Sequence, residues 1–139
     1  MKAGELRIGN LVSITDEIKI GLEEEAYLIN IFEVKRIEED GYVSVHSEIE
    51  NLYEYLGIDD IVPIELNIEW LSKMGFKVNR VTKEDNNIWR KEWSEGYFEL
   101  EEIISFFFGS PIYSTEIKSV HHLQNIYFAL TNEELQFTS

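Results

Sequence analysis

VHHLQNIYFALTNEEL, residues 120–135, is the longest helical pattern in the chain. Ile117, Val120, Leu123, Tyr127 and Leu130 recur at three- and four-residue steps, which stacks them on one face of a helix. Ser114 or Thr115 offers an oxygen for its N-cap. Thr131-Asn132-Glu133-Glu134 has the form of a capping box, which either restarts a turn or closes the helix, with Leu135 and Phe137 returning as a last strand. Much of the rest reads as short strands that need a partner face. One long amphipathic helix among many strands makes the class α+β.

Upstream of the helix, Asn67 is placed to cap a short helix from Ile68 to Met74, with Glu69 in its first turn and Gly75 as its stop. Trp70, Leu71 and Met74 form the apolar face. Phe76 to Val81 reads as a strand, and Lys83 to Asn87 as a polar turn. From Ile88 to Trp93 the pattern alternates, with Ile88, Arg90 and Glu92 on one side and Trp89, Lys91 and Trp93 on the other. Tyr97 to Phe108 follows as one long strand or two broken ones, with Phe98 and Leu100 opposite Glu99 and Glu101. Phe106-Phe107-Phe108 is apolar on both faces, which fits a central or covered strand. Gly109-Ser110-Pro111 breaks it, and Ile112 and Tyr113 continue briefly.

The N-terminal half is denser in turns. ELRIGNLVSI, residues 5–14, is a bent strand or a strand pair, with Gly9-Asn10 as its turn or bulge. Asp16 to Glu25 is an acidic loop around Ile18, Ile20 and Leu22. Tyr27 to Ile37 is rich in β-branched and aromatic residues and reads as a strand. Glu39-Asp40-Gly41 is a hairpin signal, and Tyr42 to His46 is the return strand, with Val43 and Val45 on one face. Residues 47–60 are ambiguous: Ile49, Leu52, Tyr53 and Leu56 have helical spacing, which allows a short helix before Gly57. Ile61 to Leu66 closes the half as a strand whose Pro63 suits an edge. The expected architecture is a small SH3-like β-barrel over residues 1–66, packed on an antiparallel sheet with two helices over residues 67–139.

Charge narrows the function classes. The formal net charge of −15 repels phosphate backbones, and no basic run offsets it, so direct nucleic-acid binding is not expected. The acidity is concentrated at −11 in residues 1–66, against −4 in residues 67–139. The chain has no cysteine, which rules out disulfides, thiolate metal sites and a cysteine nucleophile. No apolar run is long enough to span a bilayer, and MKAGELRIGN has no apolar signal-peptide core, so a cytoplasmic protein without membrane contact is expected.

Three blocks carry a family resemblance: ELRIGNLV at residues 5–12, IVPIELNIEWLSKMGF at residues 61–76 and VHHLQNIYFALTNEEL at residues 120–135. In order and spacing the chain resembles a family of small uncharacterised proteins of Bacteroidota and of their phages and prophages. His122, Gln124, Asn125, Tyr127, Phe128 and Glu134 match that family's end motif. Asn132 stands where the family usually has glycine, and Asn67 where it usually has threonine. The resemblance implies an α+β fold and a mobile-element origin in the cytoplasm of a bacterial host. It implies no activity.

Candidate sites follow from these features. His121-His122 lacks a second metal ligand at helical spacing, since positions 117, 118, 125 and 126 are Ile, Lys, Asn and Ile; His122 is read as structural. Gln124 and Asn125 are read as satisfying strand ends. Trp89 and Trp93 share a strand face beside Lys91 and are candidates for partner contact. Glu23, Glu24, Glu25, Glu38, Glu39 and Asp40 form the acidic candidate surface. With no P-loop, dinucleotide fingerprint or nucleophile elbow, no catalytic residue, metal or cofactor is expected. The expected function is a non-enzymatic interaction module whose partner is another protein, a basic partner surface being one option. Two alternatives stand beside it: a nucleic-acid mimic that inhibits a host defence nuclease, and a virion component or enzyme.

Overall fold

Antiparallel pairing organises both halves of the chain. The computed structural model describes residues 3–16, 18, 31–47, 52–109 and 114–137. The chain divides into two compact units, Met1–Ile64 and Glu65–Ser139. Each contains one five-stranded antiparallel sheet, and two α-helices belong to the second unit.

In the first unit the strands are β1 (Leu11–Ile14), β2 (Phe32–Ile37), β3 (Tyr42–Ser47), β4 (Leu52–Gly57) and β5 (Ile61–Val62), in the order β4-β3-β2-β1-β5. β1 serves two neighbours with its successive halves. Leu11 and Val12 face Glu33 and Phe32 of β2, whereas Ser13 and Ile14 face Val62 and Ile61 of β5. A strand shared in this way bends the sheet at β1 and curls it into a half-barrel. A bulge between Val34 and Arg36 adds local twist to β2. The concave core is aliphatic apart from Phe32: Leu6, Val12, Ile14, Val34, Val43, Val45, Leu56 and Ile61 are buried with it.

The RIGN stretch has a local cause. Gly9 sits at φ 97°, a conformation that a side chain disfavours. The Arg7 N–H donates to Asn10 Oδ1 at 2.7 Å, and the Gly9 N–H donates to the Val34 carbonyl at 2.9 Å. The turn is thereby fastened to β2, and Leu6 enters the core while Ile8 stays exposed. At the β2–β3 hairpin, Gly41 takes φ 88° and the Tyr42 N–H donates to Asp40 Oδ1 at 3.1 Å. Among the described residues the short helix that the spacing allows before Gly57 is not formed: Leu52–Gly57 is strand β4, paired along its whole length with β3. The helical spacing there is a coincidence of a two-residue alternation, because Tyr53 and Tyr55 face away from the core that receives Leu56.

The second unit begins with helix α1 (Ile68–Lys73), capped as the sequence predicts: Asn67 Oδ1 accepts from the Trp70 N–H at 3.0 Å. Trp70, Leu71 and Met74 are buried, and Gly75 stops the helix at φ 90°. Strands β6 (Lys77–Val81), β7 (Asn87–Trp93), β8 (Gly96–Glu102), β9 (Phe106–Gly109) and β10 (Ser114–Ile117) then form a meander in chain order. Phe98 is the hub of the aromatic core. Its ring meets Phe76 edge-on at 6.0 Å, stacks on Phe108 at 4.6 Å and meets Tyr127 edge-on at 5.5 Å.

Tyr127 belongs to helix α2 (Val120–Thr131). Its N-cap is Ser119, whose Oγ accepts from the His122 N–H at 3.3 Å, and not Ser114 or Thr115, which lie in β10. Ile117 is buried as a strand residue, and Leu130 is 54% exposed. The buried stripe is instead Val120, Leu123, Gln124, Tyr127 and Thr131. Thr131 ends the helix: its Oγ1 donates to the Tyr127 carbonyl at 2.8 Å and accepts from the Glu133 N–H at 3.1 Å. Asn132 takes the left-handed conformation at φ 59°, where glycine or asparagine is favoured. Leu135 is buried, but residues 134–137 form no strand.

Candidate partner-binding face

The convex face of the first sheet is set by the β3–β4 register. Tyr42 is opposite Gly57, Ser44 opposite Tyr55, and His46 opposite Tyr53. Residues directly opposite share a face, so all the rings in these pairs project away from the core that holds Val43, Val45 and Leu56. His46 and Tyr53 stack at 4.1 Å, and Tyr42 and Tyr55 stack diagonally at 5.2 Å. Three of the four rings are open to solvent: Tyr42 at 45%, Tyr53 at 67% and Tyr55 at 54%. Exposed stacked rings stiffen each other, so a partner can cover them at low cost in side-chain entropy.

Charge gathers at one end of this ladder. The β2–β3 hairpin carries Glu38, Glu39 and Asp40, and Arg36 pairs with Glu38 at 2.7 Å. Glu39 and Asp40 are exposed. Partial desolvation of the Tyr55 ring, then the Asp40 and Glu38 carboxylates, push its phenol above the ordinary tyrosine value; Arg36 acts in the opposite sense. Across β2, Glu33 faces His46 and pairs with Lys35. The face therefore combines aromatic rings with carboxylates, the two groups that attract a guanidinium or ammonium ion.

The residues singled out in the sequence fall in different places. Glu38, Glu39 and Asp40 lie beside the ladder. Glu23, Glu24 and Glu25 lie outside the described residues. Trp89 is only 9% exposed, on the inner side of the second sheet, and its indole N–H donates to Glu102 Oε1 at 2.9 Å. It offers no ring to a partner. Trp93, on the same strand, is half-buried near the strand end. In α2, Gln124 is buried, and His122 and Asn125 are half-buried. Sequence reading passed over Tyr42, His46, Tyr53 and Tyr55. Their signal is the spacing of Tyr53 and Tyr55, two residues apart, which becomes visible only when 52–57 is read as a strand.

The outer face of the second sheet is differently built. Arg80 Nη1 and Arg90 Nε both donate to Glu99 Oε2, at 2.8 and 2.9 Å, and Asn86 Nδ2 donates to Glu101 Oε2 at 3.1 Å. The Arg90 guanidinium also lies 4.0 Å from the Tyr97 ring centre. These groups satisfy one another. Among the described residues no cluster of three His, Asp or Glu side chains is arranged to hold a metal ion. No helix among them is long and apolar enough to cross a membrane.

Compared with protein-family models, with curated proteins and with solved structures, the chain finds no match in any of the three.

Proposed function

We propose that the chain is a non-enzymatic protein-interaction module of phage or prophage origin, acting in the cytoplasm of a bacterial host. Its N-terminal sheet is a small SH3-like barrel that binds a cationic segment of another protein. The observation that carries this reading is the stacking of Tyr42 on Tyr55 and of Tyr53 on the buried His46, which leaves the three tyrosine rings exposed beside Glu38, Glu39 and Asp40. Each arginine or lysine laid over an exposed tyrosine contributes about 0.5–1 kcal/mol, and neighbouring carboxylates raise the encounter rate. The mobile-element origin rests on the resemblance of the three sequence blocks. A nucleic-acid mimic needs carboxylates in a row on one face. The described acids of the first sheet lie on both faces, since Glu33 faces His46 and Glu54 faces Val45, and Glu33 and Glu38 are ion-paired.

The test is titration of the full chain with an arginine-rich peptide and with a lysine- and arginine-free peptide of equal length, followed by amide chemical shifts. Binding of the cationic peptide should move the amides of Tyr42, His46, Tyr53 and Tyr55 and weaken as salt is raised. Tyr53→Ala with Tyr55→Ala should weaken it about tenfold or more while leaving the melting temperature within a few degrees. Equal binding of the two peptides, or shifts confined to other strands, would remove the proposal.

A further inference from the structure

The outer face of the second sheet has an opening in it. One row of the register crosses all five strands: Arg80, Ile88, Glu101, Phe107 and Glu116 are successive partners from β6 to β10. Beyond this row, on the side of Glu99, the sheet parts. Among the described residues β9 pairs with β8 only at Glu101↔Phe107 and Glu102↔Phe106, and its remaining residues follow β10 as Phe108↔Thr115 and Gly109↔Ser114. Alternation turns Phe108 inward, where its ring stacks on Phe98, and leaves Gly109 outward with no side chain to fill the gap. A cavity of about 450 Å³ lies here, with Gly109 and Ser114 at one side; its other walls include Arg80, Ile88, Glu99, Glu101, Ile103 and Phe107. That volume falls within the range of small-molecule sites, about 300–1,000 Å³.

The walls are of two kinds. Ile88 is buried, Phe107 is half-buried and Ile103 is exposed at the turn after β8, so an apolar wall meets solvent. The charged wall has a definite sign, because Arg80 stands against two carboxylates, Glu99 and Glu101. Arg80 Nη1 is committed to Glu99 Oε2. The other donor to that oxygen, Arg90, is outside the cavity lining and lies against the Tyr97 ring. Among the described residues the Glu101 carboxylate receives only the neutral amide of Asn86, at 3.1 Å. Its hydrogen bonding is met, but its charge is not neutralised. A half-buried carboxylate beside an apolar wall favours a cation whose remaining bulk is apolar.

We propose that this cavity binds a small organic monocation, an ammonium ion on an aliphatic or alicyclic body. The ammonium donates to Glu101, and the body covers Phe107, Ile88 and Ile103. An anion of the same shape meets Glu99 and Glu101 and is rejected. All of these residues belong to the second unit, so the site is distinct from the tyrosine ladder of the first, which takes a protein segment.

The experiment titrates the full chain with cyclohexylmethylammonium, cyclohexylmethanol and cyclohexanecarboxylate, probes of one shape and three charges, followed by calorimetry and amide chemical shifts. The ammonium should bind at least about tenfold more tightly than the alcohol or the carboxylate and should move the amides of Glu101, Ile103 and Phe107. Glu101→Gln keeps an acceptor for Asn86 and removes the charge, and should lower the ammonium's affinity to that of the alcohol. Ser114→Phe, at an exposed position of the lining, should fill the cavity and weaken all three probes. Tyr53→Ala with Tyr55→Ala should leave the ammonium's affinity unchanged. The probe series on the unaltered chain tests the charge preference without any variant. Equal binding of the three probes, ammonium affinity unchanged in Glu101→Gln, shifts confined to the first unit, or no ammonium binding at millimolar concentration would each overturn the proposal.

Discussion

The two sheets have the same number of strands and the same antiparallel pairing, yet their outward faces are opposites. On the second, Arg80, Arg90, Glu99, Asn86 and Glu101 are joined by hydrogen bonds, so the face is largely satisfied by itself. On the first, the rings of Tyr42, Tyr53 and Tyr55 are stacked but exposed, and the carboxylates of Glu39 and Asp40 are open at the hairpin. The inward faces differ as well. The first core is mostly aliphatic and lies within a curl, whereas the second is aromatic, centred on Phe98 and covered by α2 through Tyr127. The first sheet curls into a half-barrel and leaves the three tyrosine rings of its outer side exposed. The meander is covered on one side by a helix, and its other side is held by charge pairing.

The sharpest way to break this contrast is to remove the helix's grip. Leu123 is fully buried, so Leu123→Asp places a carboxylate in an apolar core and should destabilise the second unit by more than about 4 kcal/mol. Loss of dispersed amide signals from β6–β10 would establish it; retention of those signals would mean that α2 is dispensable to the sheet.

A pH scan sharpens the same point. Burial, then Glu133, raises the Tyr127 phenol above its ordinary value. The folded state therefore holds that proton more tightly than the unfolded chain. The resulting stability is fully present below about pH 10 and falls as pH rises through the folded value. Melting temperature followed from pH 8 to 11 should decline, and Tyr127→Phe should flatten that decline more than Tyr55→Phe does, since Tyr55 faces water.

Smaller effects are expected on the charged face. Glu99→Gln removes the acceptor charge shared by Arg80 and Arg90 and should cost about 1 kcal/mol in urea unfolding, less at high salt, because the pairs are partly exposed. Smallest is Asn132→Gly, which relieves the left-handed strain and should raise stability by about 0.5 kcal/mol, read as a small increase in the urea midpoint.

What could be read in the sequence was what is local. The Asn67 cap, the Gly75 stop, the Gly9-Asn10 turn, the Asp40-Gly41 hairpin and the alternation of β7 and β8 each depend on a few neighbouring residues, and each formed as expected. The misreadings had non-local causes. β4 allowed a helical reading because Tyr53, which points outward, joined Ile49, Leu52 and Leu56 in a false helical face. That error hid the candidate site, since the ladder exists only in the β3–β4 register. Leu130 fitted a helical stripe by spacing, but Gln124 and Thr131, both polar, took the buried positions.

The divided loyalty of β1 has a kinetic consequence. Every pairing in the second sheet joins consecutive strands, so it can form by successive hairpin closures, each over a short loop. The first sheet needs one long-range closure, in which Ser13 and Ile14 meet Val62 and Ile61 after everything between them has been made. Until Ile61 leaves the ribosome, half of β1 has no neighbour on that side. The nascent first unit should therefore be an open sheet with an unpaired edge, and its completion, rather than that of the longer meander, should set the pace of folding. Ile61→Val, a mild truncation at that closure, is where the slowing would be measured.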